Sequence, residues 1–407
     1  MKGGILSGLS VVEGSAFVAA PLGGMTLAQL GADVIRYDQI GGGLDYRRWP
    51  VTDSGRSLFW AGMNKGKRSI QIDLRSAEGQ ELVAALITRP GRDHGIFLTN
   101  FPARGALSYE ALKKRREDVI MVALTGNPDG TSEVDYTVHP ATGFPMITGP
   151  AGSADPVNSV LPAWDIAMGE MAAVGILAAD RHRTRTGEGS LVNLALSDVA
   201  IAMVANLGRL GQAELGANSA KDGNYLYGAF GRDFVTSDGR RVMVVALTDR
   251  QWKSLKQACS ISTEEIVAQT GANLETEGGR YAARDAISAA LSPWFAARSF
   301  AQVKSILAAS DVCWGPYQSF SQLLDEDSRC SPENRLFENV ENPGIGQLLT
   351  PGSPLSFSSA PNLPAARAPL LGEHTDEILA GLGLSSGEIA RLHDRGIVAG
   401  VETTGTS

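Results

Sequence analysis

Residues 161–189, LPAWDIAMGEMAAVGILAADRHRTRTGEG, are the stretch whose reading decides the fold. After Pro162 and Asp165 the stretch runs about five turns without another breaker. Ala, Met, Ile and Leu dominate it, and they include the stronger helix formers. Asp165 stands where an N-cap belongs, its carboxylate able to accept from the N–H groups of the first turn. Arg181, His182, Arg183 and Arg185 crowd the far end, the sign of charge that suits a helix C-terminus. Gly187 and Gly189 stop the helix, and residues 190–196 read as a short buried strand.

A chain of 407 residues can form two domains or one large domain with an excursion. With 43% hydrophobic residues, 20% charged residues and 47 glycines, it fits an α/β enzyme rich in tight turns better than a bundle or a disordered chain. A net charge of −8 argues against a nucleic-acid partner, which would call for a basic surface. An anionic ligand must then be met by local clusters of Arg and Lys. Cys259, Cys313 and Cys330 show no CxxC spacing and no neighbouring histidines, so no metal site is expected. An odd cysteine count without a signal peptide predicts reduced thiols in a cytoplasm. No apolar run reaches ~18 residues, so no membrane span is expected.

Upstream, residues 9–13 read as a strand, 21–30 as a helix and 34–38 as a second strand, a β-α-β opening. Gly14-Ser15-Ala16-Phe17-Val18 does not supply the G-x-G-x-x-G of a dinucleotide binder. Further strands are expected at 70–74, 95–100 and 119–124, with a helix at 78–87. Asn64-Lys65-Gly66-Lys67-Arg68-Ser69 forms a basic turn, which composition alone would leave solvated. Asn100-Phe101-Pro102 comes off the carboxyl end of a strand, where open α/β sheets bind ligands. Downstream, residues 197–210 carry apolar side chains at helical spacing, suited to core or dimer contact. Residues 223–232, GNYLYGAFGR, are dense in glycine and aromatics. Residues 234–237 and 241–246 flank Asp238-Gly239 as a hairpin. Helices are expected at 251–259, 280–295 and 300–309. From 335 to 369 the chain is Pro-rich and extended, and Thr375 caps a final helix.

An aspartate at a helix head is most often only a cap. The residues around Asp165 point further. Gly169, Gly-Ile-Leu-Ala-Ala from 175, Arg183 and Thr-Gly-Glu-Gly from 186 closely resemble the signature of the family III CoA transferases. The opening residues 6–38, Asn64–Ile70 as N-K-G-K-R-S-I, Asn100-Phe101-Pro102, the Asp238-Gly239 hairpin and L-G-E-H-T-D-E from 371 match that family in order. In the family the aspartate is the nucleophile that carries the acyl group and then CoA. A helix N-terminus would hold such a carboxylate ionised.

The resemblance implies an α/β fold: a Rossmann-like large domain built from both chain ends (1–222 and 335–407), an inserted small α+β domain (223–334), and an interlocked homodimer. It implies coenzyme A as part of the substrate and no permanently bound cofactor. CoA contacts carry over to Phe17, Val18, Met63, Asn64, Lys65, Lys67, Arg68, Asn100, Phe101 and Tyr136. A family arginine after the second strand reads Gln39 here, which leaves Arg36, Arg47 or Arg48 to meet the CoA phosphates, and Arg104 stands in for a family arginine in the shortened stretch after Asn100. Residues 11–36, 132–138, 223–234 and 371–379 resemble members that move CoA between the two carboxyl groups of one branched C5 dicarboxylate. For such a substrate Gly223, Tyr225, Tyr227, Gly228 and Phe230 would form a cover, and Arg232, Arg47 or Arg48 would hold the free carboxylate. Backbone N–H groups of the same loop would serve the oxyanions. The alternatives are a transferase that uses a separate acid as acceptor and a non-catalytic CoA-binding protein on this fold. Racemase chemistry fits less well, because its His-Asp dipeptide reads Val134-Asp135 here, with His139 displaced.

Overall fold

Val11 and Val12 lie at the centre of the sheet, on a strand, β1 (Ser10–Gly14), buried along its whole length. In the computed structural model, which describes residues 3–217 and 219–401, β1 leads into α1 (Ala19–Gln29). It pairs in parallel with β2 (Asp33–Asp38), the β-α-β unit expected from the sequence. A short helix, α2 (Leu58–Met63), precedes β3 (Arg68–Ile72). Next come α3 (Ala77–Thr88), β4 (Ile96–Thr99), α4 (Tyr109–Arg115) and β5 (Ile120–Thr125). The chain continues through α5 (Asp135–Ala141), the single turn α6 (Phe144–Ile147), the 24-residue α7 (Ala163–Thr186), β6 (Ser190–Ala195) and α8 (Leu196–Asn206). The helix expected over 197–210 ends early, because Gly208 takes positive φ and breaks it.

The seven strands lie in the order Val398–Ala399, β3, β2, β1, β4, β5, β6. All neighbours are parallel except Val398–Ala399, which pairs antiparallel with β3. The run β3-β2-β1-β4-β5-β6 is a doubly wound order whose direction reverses between β1 and β4. A crevice opens there, beyond the carboxyl ends of those two strands. Residues 15–18 and 100–102 border it.

The core behind the sheet joins Ile35, Ile70, Ile72, Leu86, Ile87 and Phe97 to Ile378, Leu379 and Leu392 of the last helices, Thr375–Gly381 and Ser386–Asp394. Each such side chain contributes about 1.5–3 kcal/mol by leaving water, which ties the C-terminal segment to the sheet. Thr375 is not the cap expected of it: His374 holds that position. The Thr375 hydroxyl is buried and donates to the Ala399 carbonyl at 2.7 Å, anchoring the final strand. The segment expected to be extended from 335 contains a hairpin, Phe337–Asn342 with Gly346–Pro351. Its polar sequence, FENVEN, concealed the strand pattern.

Glycine lets α1 and α7 cross closely. A Cβ on Gly23 would lie 2.8 Å from the Gly169 carbonyl oxygen, and one on Gly169 would lie 2.7 Å from that of Ala19. Backbone on both sides leaves no room to yield. Gly23→Val should therefore cost at least about 2 kcal/mol, read as a lower urea midpoint. Gly175→Ala, in the same α7 but in ordinary contact with Val192, should be neutral or stabilising. Equal effects at the two sites would contradict this packing.

Gly143–Ser159 and Gln212–Asp327 form one compact unit, and the other described residues form a second. The expected boundary at 222/223 thus falls at 211/212, and 143–159 joins the smaller unit. Lys221 donates there to the Asp155 carbonyl, and the Val157 N–H to that of Pro145 at 3.1 Å. The smaller unit has an antiparallel sheet of Phe230–Val235, Arg241–Ala246 and Cys313–Pro316, packed on helices through Trp252, Leu255, Leu291 and Phe295. The expected 280–295 helix is two, Glu277–Ala282 and Arg284–Ala296. Among the described residues no helix is long and apolar enough to cross a membrane.

Candidate active site

Helix α7 begins earlier than the sequence implied. Pro162 occupies the N-cap position, where its missing N–H costs nothing, and Asp165 is the third residue inside. Asp165 is therefore not the cap. The cap is Asp135, the buried first residue of α5, whose Oδ2 accepts from the N–H groups of Trp164 at 2.8 Å and Asp165 at 3.0 Å. Trp164 Nε1 donates to His139 Nδ1 at 3.1 Å, a second tie between α5 and the head of α7.

The electrostatics of Asp165 also differ from expectation. Burial and then the Asp135 charge push its carboxyl up to about 6, against an opposing pull from Arg48. Desolvation and like charge outweigh the helix dipole. At neutral pH such a carboxylate is ionised yet poorly stabilised, and no side chain among the described residues donates a hydrogen bond to it. That combination suits a nucleophile or a base.

Arg48 is the cation facing this carboxylate. Its guanidinium lies 5.1 Å from the Phe17 ring centroid and 5.0 Å from that of Phe59. No carboxylate among the described residues pairs with it. The loop that presents Phe17 is strained, with φ of +67° at a non-glycine residue, a cost of order 1–3 kcal/mol. Hydrogen bonds hold it there. The Phe17 N–H donates to Asp45 Oδ1 at 2.9 Å, and Asn100 clasps Ala16, accepting from its N–H at 2.9 Å and donating to its carbonyl at 2.7 Å. Asn100 thereby joins the loops after β1 and β4 across the crevice. Val18 stands at the head of α1, and Phe101 and Arg104 are exposed beyond β4.

Several expected CoA contacts lie inside the protein instead. Arg36 is fully buried: it binds Asp38 with Nε and Nη2, both at 3.0 Å, and reaches Ser15, Asn64 and Asp45 with its remaining donors. Lys67 is spent on Glu13 at 2.8 Å, the Pro21 carbonyl and Asn64. Arg36 and Lys67 therefore have no donor left for an outside phosphate, and buried Asn64 gives its side-chain oxygen to both of them. They shape the crevice by fixing its floor. Arg68 is likewise committed, to Asp33 at 2.7 and 2.8 Å and to Glu377 at 3.1 Å. The cause is shared: these side chains meet partners inside the protein, Lys67 and Arg68 acids from other strands, Arg36 an acid of its own strand, and Asn64 the two cations Arg36 and Lys67, rather than water.

Lys65 differs from them. It is buried, has no ion-pair or hydrogen-bond partner among the described residues, and burial pulls its ammonium down to about 8. An anion brought against it would be paired at little cost. Met63 is half-buried beside it, and Tyr136 is exposed on α5. Arg47 borders a cleft of about 290 Å³ with Tyr46, Arg56 and Trp60.

In the smaller unit, Gly223 and Gly228 take positive φ in a loop that leaves Tyr227 exposed. Arg232 donates to the Tyr225 hydroxyl at 2.5 Å and stacks 4.6 Å over its ring. Tyr225 in turn donates to Asp285 at 2.8 Å. Phe230 is not available to a substrate, since it is fully buried against Trp252 as the first residue of its strand. Among the described residues no group of three His, Cys, Asp or Glu side chains is placed to hold a metal.

Comparison with known proteins adds to this geometry. Residues 6–375 match the model of CoA-transferase family III. The chain is 59% identical over 402 residues to a 2-methylfumaryl-CoA isomerase of Chloroflexus aurantiacus, covering 98% of each. It is 28% identical to a succinyl-CoA:mesaconate CoA-transferase of Haloarcula hispanica, covering 94% of this chain and 98% of that one. The crystal structure of a CAIB/BAIF family protein from Brucella suis superposes with a TM-score of 0.76 at 27% identity, covering 94% of this chain and 100% of that one.

Proposed function

The chain belongs to CoA-transferase family III, and on that premise we propose that it moves CoA from the C1 to the C4 carboxyl group of mesaconyl-CoA, converting 2-methylfumaryl-CoA into 3-methylfumaryl-CoA. The full-length likeness to the Chloroflexus isomerase carries this reading, and the head of α7 supplies its working parts.

Asp165 attacks the C1 thioester carbonyl, forming an aspartyl–acyl anhydride and expelling CoA thiolate. The thiolate attacks the aspartyl carbonyl, leaving aspartyl-CoA and free mesaconate. The C4 carboxylate then attacks aspartyl-CoA, and the released thiolate attacks the new anhydride at C4. The product leaves and the Asp165 carboxylate is restored. Every bond formed is matched by one broken, so no oxidant or other co-reactant is needed.

Arg48 holds whichever carboxylate is not reacting. Its support is its position: half-buried against two aromatic rings, unpaired among the described residues, and close enough for its charge to act on Asp165. Lys65, Asn100, Phe101, Arg104 and Tyr136 stay in this proposal as contacts along CoA. A homodimer belongs to it as well, since Val174 on α7, Ile201 on α8 and Leu207 leave apolar side chains exposed for a partner to cover.

The test of intramolecular transfer mixes mesaconyl-CoA with excess carbon-13-labelled free mesaconate. The C4 thioester formed at early times should carry no label. Label entering the product as fast as product forms would establish a separate acid acceptor instead.

A further inference from the structure

The cap of α7 comes from another helix. Asp135 begins α5, yet its Oδ2 reaches across to the Trp164 and Asp165 N–H groups, the first-turn donors of α7. A buried anion there is favourable in itself, because the bonds are charge-assisted and the helix N-terminus is positive. It also has consequences for its neighbour. The donors nearest Asp165 are already spent, and a second negative charge is fixed beside its carboxylate.

We propose that Asp135 is a positioning residue for Asp165: it anchors the backbone from which the nucleophile projects, and as a fixed negative charge it keeps that nucleophile under-stabilised and reactive toward a thioester carbonyl. This rests on Asp165 being the nucleophile. A carboxylate that is more basic than usual attacks better, and near neutral pH it stays ionised, so the gain costs little in population.

Burial is the larger cause of the raised carboxyl, and for the part due to charge the surroundings leave few sources besides Asp135. The elements packed against α7 are α1, α5, α8, β5 and β6. Neither α1, β5 nor β6 carries a titratable residue, and α8 carries only Asp198. On α5 the titratable residues are Asp135, Tyr136 and His139, and the His139 Nδ1 is engaged by Trp164. Glu170, one turn further along α7, accepts from Thr26 at 3.2 Å. Arg48 opposes Asp135 from the loop after β2.

The experiment follows carboxyl carbons in full-length protein labelled with carbon-13 at aspartate Cγ, with Asp165→Asn assigning the Asp165 resonance. In the wild-type protein that resonance should titrate with a midpoint near 6. Asp135→Asn keeps an acceptor for the two N–H groups but removes the charge. Its Asp165 midpoint should fall by about one pH unit, with kcat down about 10-fold and KM within about 2-fold. An unchanged midpoint and pH profile in Asp135→Asn would reduce Asp135 to a structural cap and overturn the proposal. If that variant does not fold, Asp135→Ser, which also keeps a neutral acceptor, takes its place, and a wild-type midpoint at or below about 4 contradicts the proposal in either case. The titration needs no turnover, so it stands apart from the assignment of mesaconyl-CoA as substrate.

Discussion

Asp165→Asn should lower turnover by at least about 10⁴-fold, because removing a covalent nucleophile removes the whole two-stage route. The same variant should be more stable than the wild type at pH 8. The wild-type carboxyl is raised to about 6 on folding. The native state therefore holds a proton between roughly pH 4 and 6 that the unfolded state has lost, and stability falls as pH rises through that window. Above it the charged carboxylate costs about 1–3 kcal/mol, which an asparagine does not incur. The gain should shrink towards pH 4 and vanish below it, where both states of the wild type carry the proton. Thermal midpoints of the two proteins at pH 4 and pH 8 measure this. A variant that is active, or less stable than the wild type at pH 8, would contradict the site described above.

Arg48→Met should cost about 10²–10³-fold in kcat/KM for mesaconyl-CoA, since it strips the partner from a desolvated carboxylate of the substrate. Two signs identify the cause. Arg48 pulls the Asp165 carboxyl down, so without it the acid limb of the pH profile, set near 6 by Asp165, should move to higher pH. Arg48→Lys should recover only part of the rate, because an ammonium keeps the charge but not the planar stack against Phe17 and Phe59. Arg47→Met, on the neighbouring cleft, should change kcat/KM far less. Equal losses at the two arginines would remove the reason for distinguishing them.

That distinction marks what the sequence can and cannot say. Arg47 and Arg48 are adjacent and chemically alike, and only the folded loop, held by Asp45 and flanked by Phe17 and Phe59, separates their roles. Short-range patterns were legible: the β-α-β opening, the long helix after Pro162, the strand end at Asn100. Each depends on residues a few positions apart. Pairings between distant residues were not. Lys67 meets Glu13 across 54 positions, and Asp165 meets Asp135 across 30. The basic turn at 64–68 therefore looked solvated or phosphate-bound, when three of its polar side chains are consumed inside the protein or at its edge by acids and amides. Phe230 misled differently: it follows a glycine-rich loop in sequence but opens a buried strand. Asp135 did carry a signal, an acid at the head of a short helix ahead of α7, yet nothing local tells which helix it caps.

The central claim is that one carboxylate carries CoA, and it is tested by trapping during turnover. Wild-type protein given mesaconyl-CoA and quenched with hydroxylamine should yield, after digestion, one hydroxamate-modified peptide, with the modification at Asp165 and absent without substrate. Modification at a different carboxylate, or none while product accumulates, would contradict the account.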